Sequence, residues 1–401
     1  MHMPDEKDID YNRRLEEAFT ETDDAFWNDR SIVFGTDSER TAKLFAYLKR
    51  VWNPWERSGP CMYRGCTDQS IRRSHAIPRA GSLERIAEAQ HVLTPRLNKS
   101  AQVKMEPIGV NNASTFPGFC EKHEQLFFEF ESTGSLSSVR HLALQAFRTL
   151  CREIARKRHA VDQLEKGLKE YREARTRHYS VAIKKFDEKA KISAVTIKGD
   201  GLEKLTVSRL KGQKADLAEL EGDLYDELFV YIDSQKQDPA LQALSFPFEV
   251  PVSLSGFGVL TYQSGSKTHR ALCPLGILPL AGETVVFIGA AHKHAAVVEA
   301  YHSAMEHGFN GLNAMESWMI NGSDHWFIRP SAWAGIPPHR QEKLLRLLQS
   351  EEDNIGTMLD FSILDDARRA LIGMINDNLE EAADRAGVLE MVKRESAKLT
   401  I

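Results

Sequence analysis

The sequence predicts an α+β protein, and three observations along the chain support that class. A loop-rich segment with short strands holds three of the five cysteines, between Cys61 and Cys120. A helical segment follows from Ser135 to about Ile192 and is rich in Ala, Leu, Glu, Lys and Arg. Four β-rich runs between Phe246 and Gly289 are broken by predicted turns such as Gly256-Phe257-Gly258 and Ser264-Gly265-Ser266, and helical sequence follows them. We therefore expect a small antiparallel sheet with helices in the C-terminal part.

The 401-residue chain is 42% hydrophobic, which is enough to bury at least one large core in two or three domains. No stretch approaches the roughly 18 to 20 apolar residues that span a bilayer, and the first residues are acidic, unlike a secretion signal. These features predict a cytoplasmic protein without a membrane-spanning helix. Three of the five cysteines cluster with His75 and His123, which favours metal ligation in a reducing compartment over disulfides.

Composition and turn signals divide the chain into four predicted domains. Residues 1–60 form an acidic helical lead-in, and residues 61–131 form the cysteine-bearing module. Residues 132–198 form a long basic helix or helical hairpin, whose apolar residues recur mostly at spacings of three and four and so bury one face. Residues 199–401 form an α+β C-terminal domain.

Four residues in two short pairs have the spacing of a zinc site. Cys61-x4-Cys66 and Cys120-x2-His123 each place two ligands on one tight turn, and a long excursion separates the pairs. Gly65 suits such a turn, because glycine adopts backbone conformations that other residues avoid. The pattern predicts that Cys61, Cys66, Cys120 and His123 bind one structural Zn²⁺ ion, which supports a module with little core of its own.

A short segment between the two pairs carries a further motif. Ser74-His75-Ala76-Ile77-Pro78 places a histidine before an apolar run and a proline, with Asn111-Asn112 later and Cys120-x2-His123 at the far end. In this order of parts, residues 61–131 resemble a divergent HNH-type endonuclease domain. The resemblance implies a treble-clef, ββα-metal module in which zinc holds the fold and a divalent ion assists the cleavage of nucleic acid.

The resemblance also implies roles for individual residues. His75 would be the general base that activates water, Asn112 would orient it through its backbone or its side chain, and Glu124 would bind a catalytic Mg²⁺ or Mn²⁺ ion. The chain departs from the family pattern in three ways: the first pair has four intervening residues instead of two, the histidine lies further from the second pair, and a serine precedes it instead of an acid or a second histidine. Another interpretation stays open, in which His75 is a zinc ligand or a capped loop histidine.

Basic residues near the motif predict contacts with phosphate. Arg72, Arg73 and Arg79 flank His75, and guanidinium groups suit bidentate phosphate binding. Residues 136–191 carry 15 Lys and Arg against 7 Asp and Glu, a local excess that attracts a polyanion even though the net charge of the chain is -5. Each observation has a second interpretation: the arginines pair with nearby acids, and the helix charges form a solvated face.

These patterns predict a zinc-supported, divalent-metal-dependent endonuclease-like protein that acts on nucleic acid, and a role in bacterial defence suits the domain mix by association. The alternative hypothesis is a non-catalytic zinc module that binds nucleic acid or a protein partner, with self-association through the helical and C-terminal regions as a further possibility. Phe127, Phe128 and Phe130 are predicted core residues. The chain lacks a Gly-x-x-x-x-Gly-Lys-Ser/Thr loop and a Gly-x-Ser-x-Gly elbow, so nucleotide hydrolysis and serine-hydrolase chemistry have no support.

Overall fold

The computed structural model of the protein describes residue 17 and residues 58–98, 102–185, 201–349, 354–379 and 384–400. The predicted acidic lead-in at residues 1–60 lies almost wholly outside the described residues, so its helical character stays a prediction. The chain forms two compact units. Among the described residues, one unit holds residue 17 and residues 157–185 and 201–215, and the other holds those between 58 and 156 and between 216 and 400.

The larger unit contains an antiparallel sheet of seven strands, which confirms the predicted α+β class. Its strands are β2 His91–Leu97, β3 Val103–Gly109, β5 Leu241–Phe246, β6 Val252–Ser264, β7 Lys267–Leu280, β8 Glu283–Gly289 and β9 Trp326–Ile328. They lie in the order β3-β2-β9-β6-β7-β8-β5. Two further strands, β1 at Ser74–His75 and β4 at Thr115–Phe116, pair as a separate two-stranded ribbon.

The seven-stranded sheet is larger than the predicted one because β2, β3, β5 and β9 join the three strands β6, β7 and β8, which lie in the predicted region. Strand β9 pairs with β2 where Ile328 lies opposite Leu93, and with β6 where Ile328 lies opposite Val252. The sheet therefore takes strands from both the predicted 61–131 module and the predicted 199–401 domain. Pairing between strands so far apart in the chain leaves no local pattern in the sequence.

One of the two predicted turns is wrong, and the other is confirmed. Gly256 and Gly258 lie inside β6, where a glycine leaves room for a neighbouring side chain. A Cβ atom on Gly258 would lie 2.3 Å from Cγ2 of Ile355. Gly265, with a φ of 61°, lies in the two-residue turn that joins β6 to β7, where glycine adopts a positive φ without strain.

Between residues 58 and 400, the α-helices that the structure describes follow the two-stranded ribbon in the sequence. They are α1 Glu121–Glu124, α2 Phe128–Glu131, α3 Val139–Lys185, α4 Gly201–Glu219, α5 Tyr225–Ser234, α6 Ala295–Met305, α7 Asn310–Ser317, α8 Pro330–Gly335, α9 Pro338–Leu347, α10 Asp365–Asp377 and α11 Arg385–Ala397. A 3-10 turn joins α1 to α2. Helix α3 confirms the predicted long helix, and within the smaller unit Arg172 and Arg175 of α3 form ion pairs with Glu203 of α4.

Phenylalanines form the core beneath the cysteine-bearing module. The ring of Phe119 lies 4.9 Å from that of Phe127 and 5.9 Å from that of Phe147, which comes from α3. The core prediction is confirmed for Phe127 and Phe130, which are 0% and 2% exposed, but it is wrong for Phe128, which is 56% exposed. The module thus shares a core with α3, instead of having little core to support it.

Candidate metal centre and adjoining cavity

Both predicted zinc pairs lie on local turns that bring their two side chains together. In the first pair, the backbone N–H of Cys66 donates to a carbonyl three residues earlier over 3.1 Å, and Gly65 has a φ of 77°. In the second pair, Cys120 precedes the first residue of α1 and His123 lies in that helix. Residues three apart on a helix share a face, so both side chains point the same way. The backbone N–H of Cys120 also donates to Sγ of Cys61 over 3.4 Å, which joins the two pairs.

The side chains of Cys61, Cys66, Cys120 and His123 form one compact cluster, whose ligand atoms all lie within 4.8 Å of one another. Nδ1 of His123 lies 3.5 Å from Sγ of Cys61 and 3.3 Å from Sγ of Cys120. Sγ of Cys66 lies 3.9 Å from Sγ of Cys120. Zinc bonds of about 2.3 Å to sulfur and about 2.0 Å to nitrogen place tetrahedral ligand atoms about 3.5 to 3.8 Å apart. These three separations lie within about 0.2 Å of that range.

The donor set and its burial also suit a metal ion. Three thiols and an imidazole are ligands that Zn²⁺ prefers in structural sites. Burial raises the pKa of the Cys61 thiol to about 11, and a bound cation would favour the thiolate. The cluster can therefore hold a metal ion such as zinc. His75 is not part of it, so the alternative in which His75 is a zinc ligand gains no support. Cys151 and Cys273 are free cysteines that are buried outside this cluster.

Helix α5 holds the first cysteine pair in place. The ring of Tyr63 stacks on that of His123, with centroids 4.1 Å apart and planes 9° from parallel. The Tyr63 hydroxyl donates to Asp233 of α5 over 3.5 Å, and the hydroxyl of Tyr225 donates to the carbonyl of Met62 over 2.6 Å. Contacts of this kind fix the orientation of metal ligands.

A cavity of about 270 Å³ brings two of the predicted catalytic residues together. Its lining residues are His75, Arg79, Ala80, Glu124, Phe128, Glu131 and Arg148. His75 reaches it from β1, and Glu124 reaches it from α1, one residue after His123 of the Cys/His cluster. Nδ1 of His75 and Oε2 of Glu124 are buried and have no hydrogen-bond partner among the described residues. A buried polar atom without a partner is costly, so each of these two atoms is a candidate for a contact with water, an ion or a ligand.

Arg148 of α3 is a functional candidate that the sequence interpretation missed. Its side chain is 1% exposed, and it donates to Oε1 of Glu124 over 2.7 Å and to Oε1 of Glu131 over 2.6 Å. Its guanidinium carbon also lies 4.1 Å from the centre of the Phe127 ring. Arg148 therefore fixes one oxygen of Glu124 and leaves Oε2 without a partner. The general excess of basic residues in this helix was the only sequence signal for it.

The side chain of Asn112 does not contact His75 through a hydrogen bond. Asn112 is exposed, and its side chain makes no hydrogen bond with any residue that the structure describes. His75 instead makes a hydrogen bond with the backbone of Ala113, the residue after Asn112. The side chain of Asn111 accepts a hydrogen bond of 2.9 Å from Arg79. The backbone of Ala113 thus supplies the contact that the resemblance assigned to Asn112.

The predicted phosphate-binding arginines differ in their surroundings. Arg79 lines the cavity and forms an ion pair of 3.2 Å with Glu84, as the second interpretation allowed. Arg72 and Arg73 are exposed, and neither forms an ion pair with a residue in the described ranges. Two cationic side chains beside the His75 strand are therefore open to an anionic ligand.

Burial and neighbouring cations keep His75 uncharged at neutral pH. Burial, the positive charge of Arg148 and, to a smaller extent, the charges of Arg79 and Arg73 lower the pKa of His75 from 6.5 to about 4. The hydrogen bond to the Ala113 backbone acts in the opposite direction. The imidazole therefore has a lone pair that can accept a proton at neutral pH.

We expect the wild type to lose stability relative to His75→Asn as the pH falls from 6.5 towards 4. In this interval the unfolded chain binds a proton at His75 and the folded chain does not, so each pH unit costs the wild type about 1.4 kcal/mol. The difference approaches about 3 kcal/mol near pH 4 and is constant above pH 6.5. Urea denaturation of both proteins at matched pH values measures it, and the effect of acid on the Cys/His cluster is the same in both proteins. A difference that does not vary with pH would contradict a half-buried, uncharged His75.

Comparison with known proteins gives no relative from which a function could be transferred. No protein-family model, no curated protein and no solved structure matches the chain. Among the described residues, none of the helices combines the length and the apolar character needed to cross a membrane. A function for this protein therefore has to come from the chemistry of the cluster and the cavity.

Proposed function

We propose that this protein is a zinc-supported, divalent-metal-dependent endonuclease-like enzyme that cleaves phosphodiester bonds in nucleic acid. The observation that carries the proposal is the cavity, where the buried, unpartnered atoms Nδ1 of His75 and Oε2 of Glu124 lie in the lining beside the Cys/His cluster. The resemblance of residues 61–131 to an HNH-type module also assigns catalytic roles to His75 and Glu124. Zinc in the cluster would hold the two turns and so place α1 beside β1.

His75 has the properties of a general base. Its pKa of about 4 leaves the imidazole neutral at physiological pH, so Nδ1 can take a proton from the water that attacks phosphorus. Because Nδ1 has no partner among the described residues, that water can occupy the place of the missing partner. The hydrogen bond to the Ala113 backbone limits the rotation of the ring.

Glu124 suits a ligand of a divalent ion. Arg148 binds Oε1 and leaves Oε2 for coordination, and carboxylate oxygen is a ligand that Mg²⁺ and Mn²⁺ prefer. A bound ion of this kind supplies positive charge that stabilises the leaving oxygen of the phosphodiester. Arg148 also partly neutralises Glu124 and Glu131, which lowers the repulsion between these carboxylates and an approaching phosphate.

The charges around His75 support a phosphodiester substrate. Arg73, Arg79 and Arg148 are close enough to His75 to lower its pKa, and their field favours an anion at the same place. Arg72 and Arg73 are exposed and free to contact a nucleic acid backbone, and such contacts position a substrate without reading its sequence.

We expect the purified protein to nick or cleave DNA or RNA in the presence of Mg²⁺ or Mn²⁺, and Glu124→Gln to lower the rate by about 10²-fold. The substitution keeps the size of the side chain but weakens coordination by Oε2. Gel assays with plasmid DNA, single-stranded DNA and RNA measure the rate. Glu121→Gln is the matched control, because Glu121 lies on the same helix and is exposed, and it does not line the cavity.

A wild type that cleaves no nucleic acid with either ion would contradict the proposal. Retained binding of nucleic acid in that case would favour the alternative, a non-catalytic zinc module. Equal loss of rate in Glu124→Gln and Glu121→Gln would remove the special role of Glu124 and leave the enzymatic function standing.

A further inference from the structure

We propose that Phe128 stacks on an unpaired nucleobase, so that the cavity accepts single-stranded or locally unpaired nucleic acid in preference to duplex. This inference rests on the proposed function and adds the class of its substrate. It assigns a binding role to a side chain that the sequence pattern placed in the core.

The position of Phe128 sets it apart from the phenylalanines next to it. Its side chain is 56% exposed, whereas Phe127 and Phe130 are 0% and 2% exposed. It makes no ring contact with another aromatic residue in the described part of the chain. It lines the same cavity as His75 and Glu124. An aromatic ring with an open face therefore lies beside the two residues with unpartnered polar atoms.

The chemistry of an open phenyl ring favours a nucleobase whose face is also open. Each base in a duplex is covered on both faces by its neighbours, so a protein ring can stack only on a base that has left the helix or belongs to a single strand. Stacking of this kind contributes affinity for any base, since every base has an aromatic face.

The charges beside Phe128 distinguish a nucleotide from an apolar partner. Arg79 lines the cavity together with Phe128. The positive charges of Arg148, Arg79 and Arg73 lower the pKa of the nearby His75. A nucleotide offers an anionic phosphate to these guanidinium groups and an aromatic base to the ring. An apolar peptide or an apolar protein surface would fill the place of the base but would bring no anion to Arg73, which forms no ion pair within the described ranges.

The test measures binding separately from cleavage. All proteins carry His75→Ala to prevent turnover and are titrated into short labelled oligonucleotides without added divalent ion: single-stranded DNA, single-stranded RNA, the matching duplex, and a strand of the same length without bases. We expect Phe128→Ala to weaken binding of the single strands by about 5- to 100-fold and to leave the base-free strand unchanged. Phe128→Trp is expected to bind the single strands at least as tightly as phenylalanine does. The DNA and RNA arms show which strand the ring accepts.

Met358→Ala is the matched control, because Met358 is 58% exposed and lies outside the cavity lining. It is expected to bind every strand as the parent does. Phe128→Ala is expected to keep a thermal midpoint within about 2 °C of the parent, since an exposed side chain contributes little to stability. Equal binding of single strands by Phe128→Ala and the parent, or a parent that binds duplex as tightly as single strands, would overturn the inference and leave the nuclease proposal intact. A parent that binds no nucleic acid at all would overturn both.

Discussion

Replacement of Cys120 by serine is expected to strip zinc from the protein and to lower its free energy of unfolding by on the order of 5 kcal/mol. Sγ of Cys120 lies close to donor atoms of both pairs, 3.3 Å from Nδ1 of His123 and 3.9 Å from Sγ of Cys66, so its loss opens the cluster. A serine hydroxyl stays protonated at neutral pH and is a poor zinc ligand. Elemental analysis measures the metal content, and urea denaturation measures the stability.

Cys273→Ser is the control for this prediction. Cys273 is fully buried in β7, burial raises its pKa to about 12, and it lies outside the cluster. A buried hydroxyl in its place costs about 1 to 3 kcal/mol, and zinc content is expected to stay at the wild-type level. Zinc bound equally by Cys120→Ser and the wild type, or a loss of stability in Cys120→Ser no larger than in Cys273→Ser, would contradict a structural metal in the cluster.

Replacement of His75 by alanine is expected to lower the rate of nucleic acid cleavage by about 10²- to 10⁴-fold while zinc content stays unchanged. A general base acts on the transition state, so its removal affects the rate more than the fold. The side chain lies outside the metal cluster, so zinc is expected to be retained. Added imidazole is expected to restore part of the rate, because truncation of the side chain enlarges a cavity that already measures about 270 Å³.

His91→Ala tests whether any histidine of the module matters for cleavage. His91 is exposed at the start of β2, does not line the cavity, and contacts the carbonyl of Ala89 over 2.7 Å. Its replacement is expected to leave the rate within about 2-fold of the wild type. Release of zinc from His75→Ala would place His75 at the metal and contradict its role as the base. A wild-type rate of cleavage in His75→Ala would also contradict that role.

Local chain geometry made the metal cluster predictable from the sequence. Within each pair, a tight turn or the first turn of a helix brings the two donors together, and both conformations depend on residues that are neighbours in the chain. Gly65 marks the first turn, and the spacing of Cys120 and His123 marks the second. The position of Glu124 follows from the same helix, since it comes directly after His123. The long helix α3 was predictable for a similar reason, because its composition and apolar spacing are local properties.

Other features depended on contacts between distant parts of the chain. Arg148 lies 24 residues from Glu124 in the sequence, and only the packing of α3 on the module brings the two together. Strand β9 joins the sheet between β2 and β6 through pairings that no short segment encodes.

The exposure of Phe128 is the clearest case of a property that the tertiary structure decided. Three phenylalanines within four residues read alike in the sequence, yet only Phe127 and Phe130 lie on the face that packs against the core. Residues three apart on a helix share a face, and Phe128 is turned about 100° from Phe127. Spacing in the sequence predicted the four candidate zinc ligands, and the resemblance to an HNH-type module predicted the two residues proposed for catalysis. The packing of α3 against the module decided that the Phe128 ring stays exposed, and it placed Arg148 against Glu124. Burial of a side chain depends on the residues of other segments that pack against it.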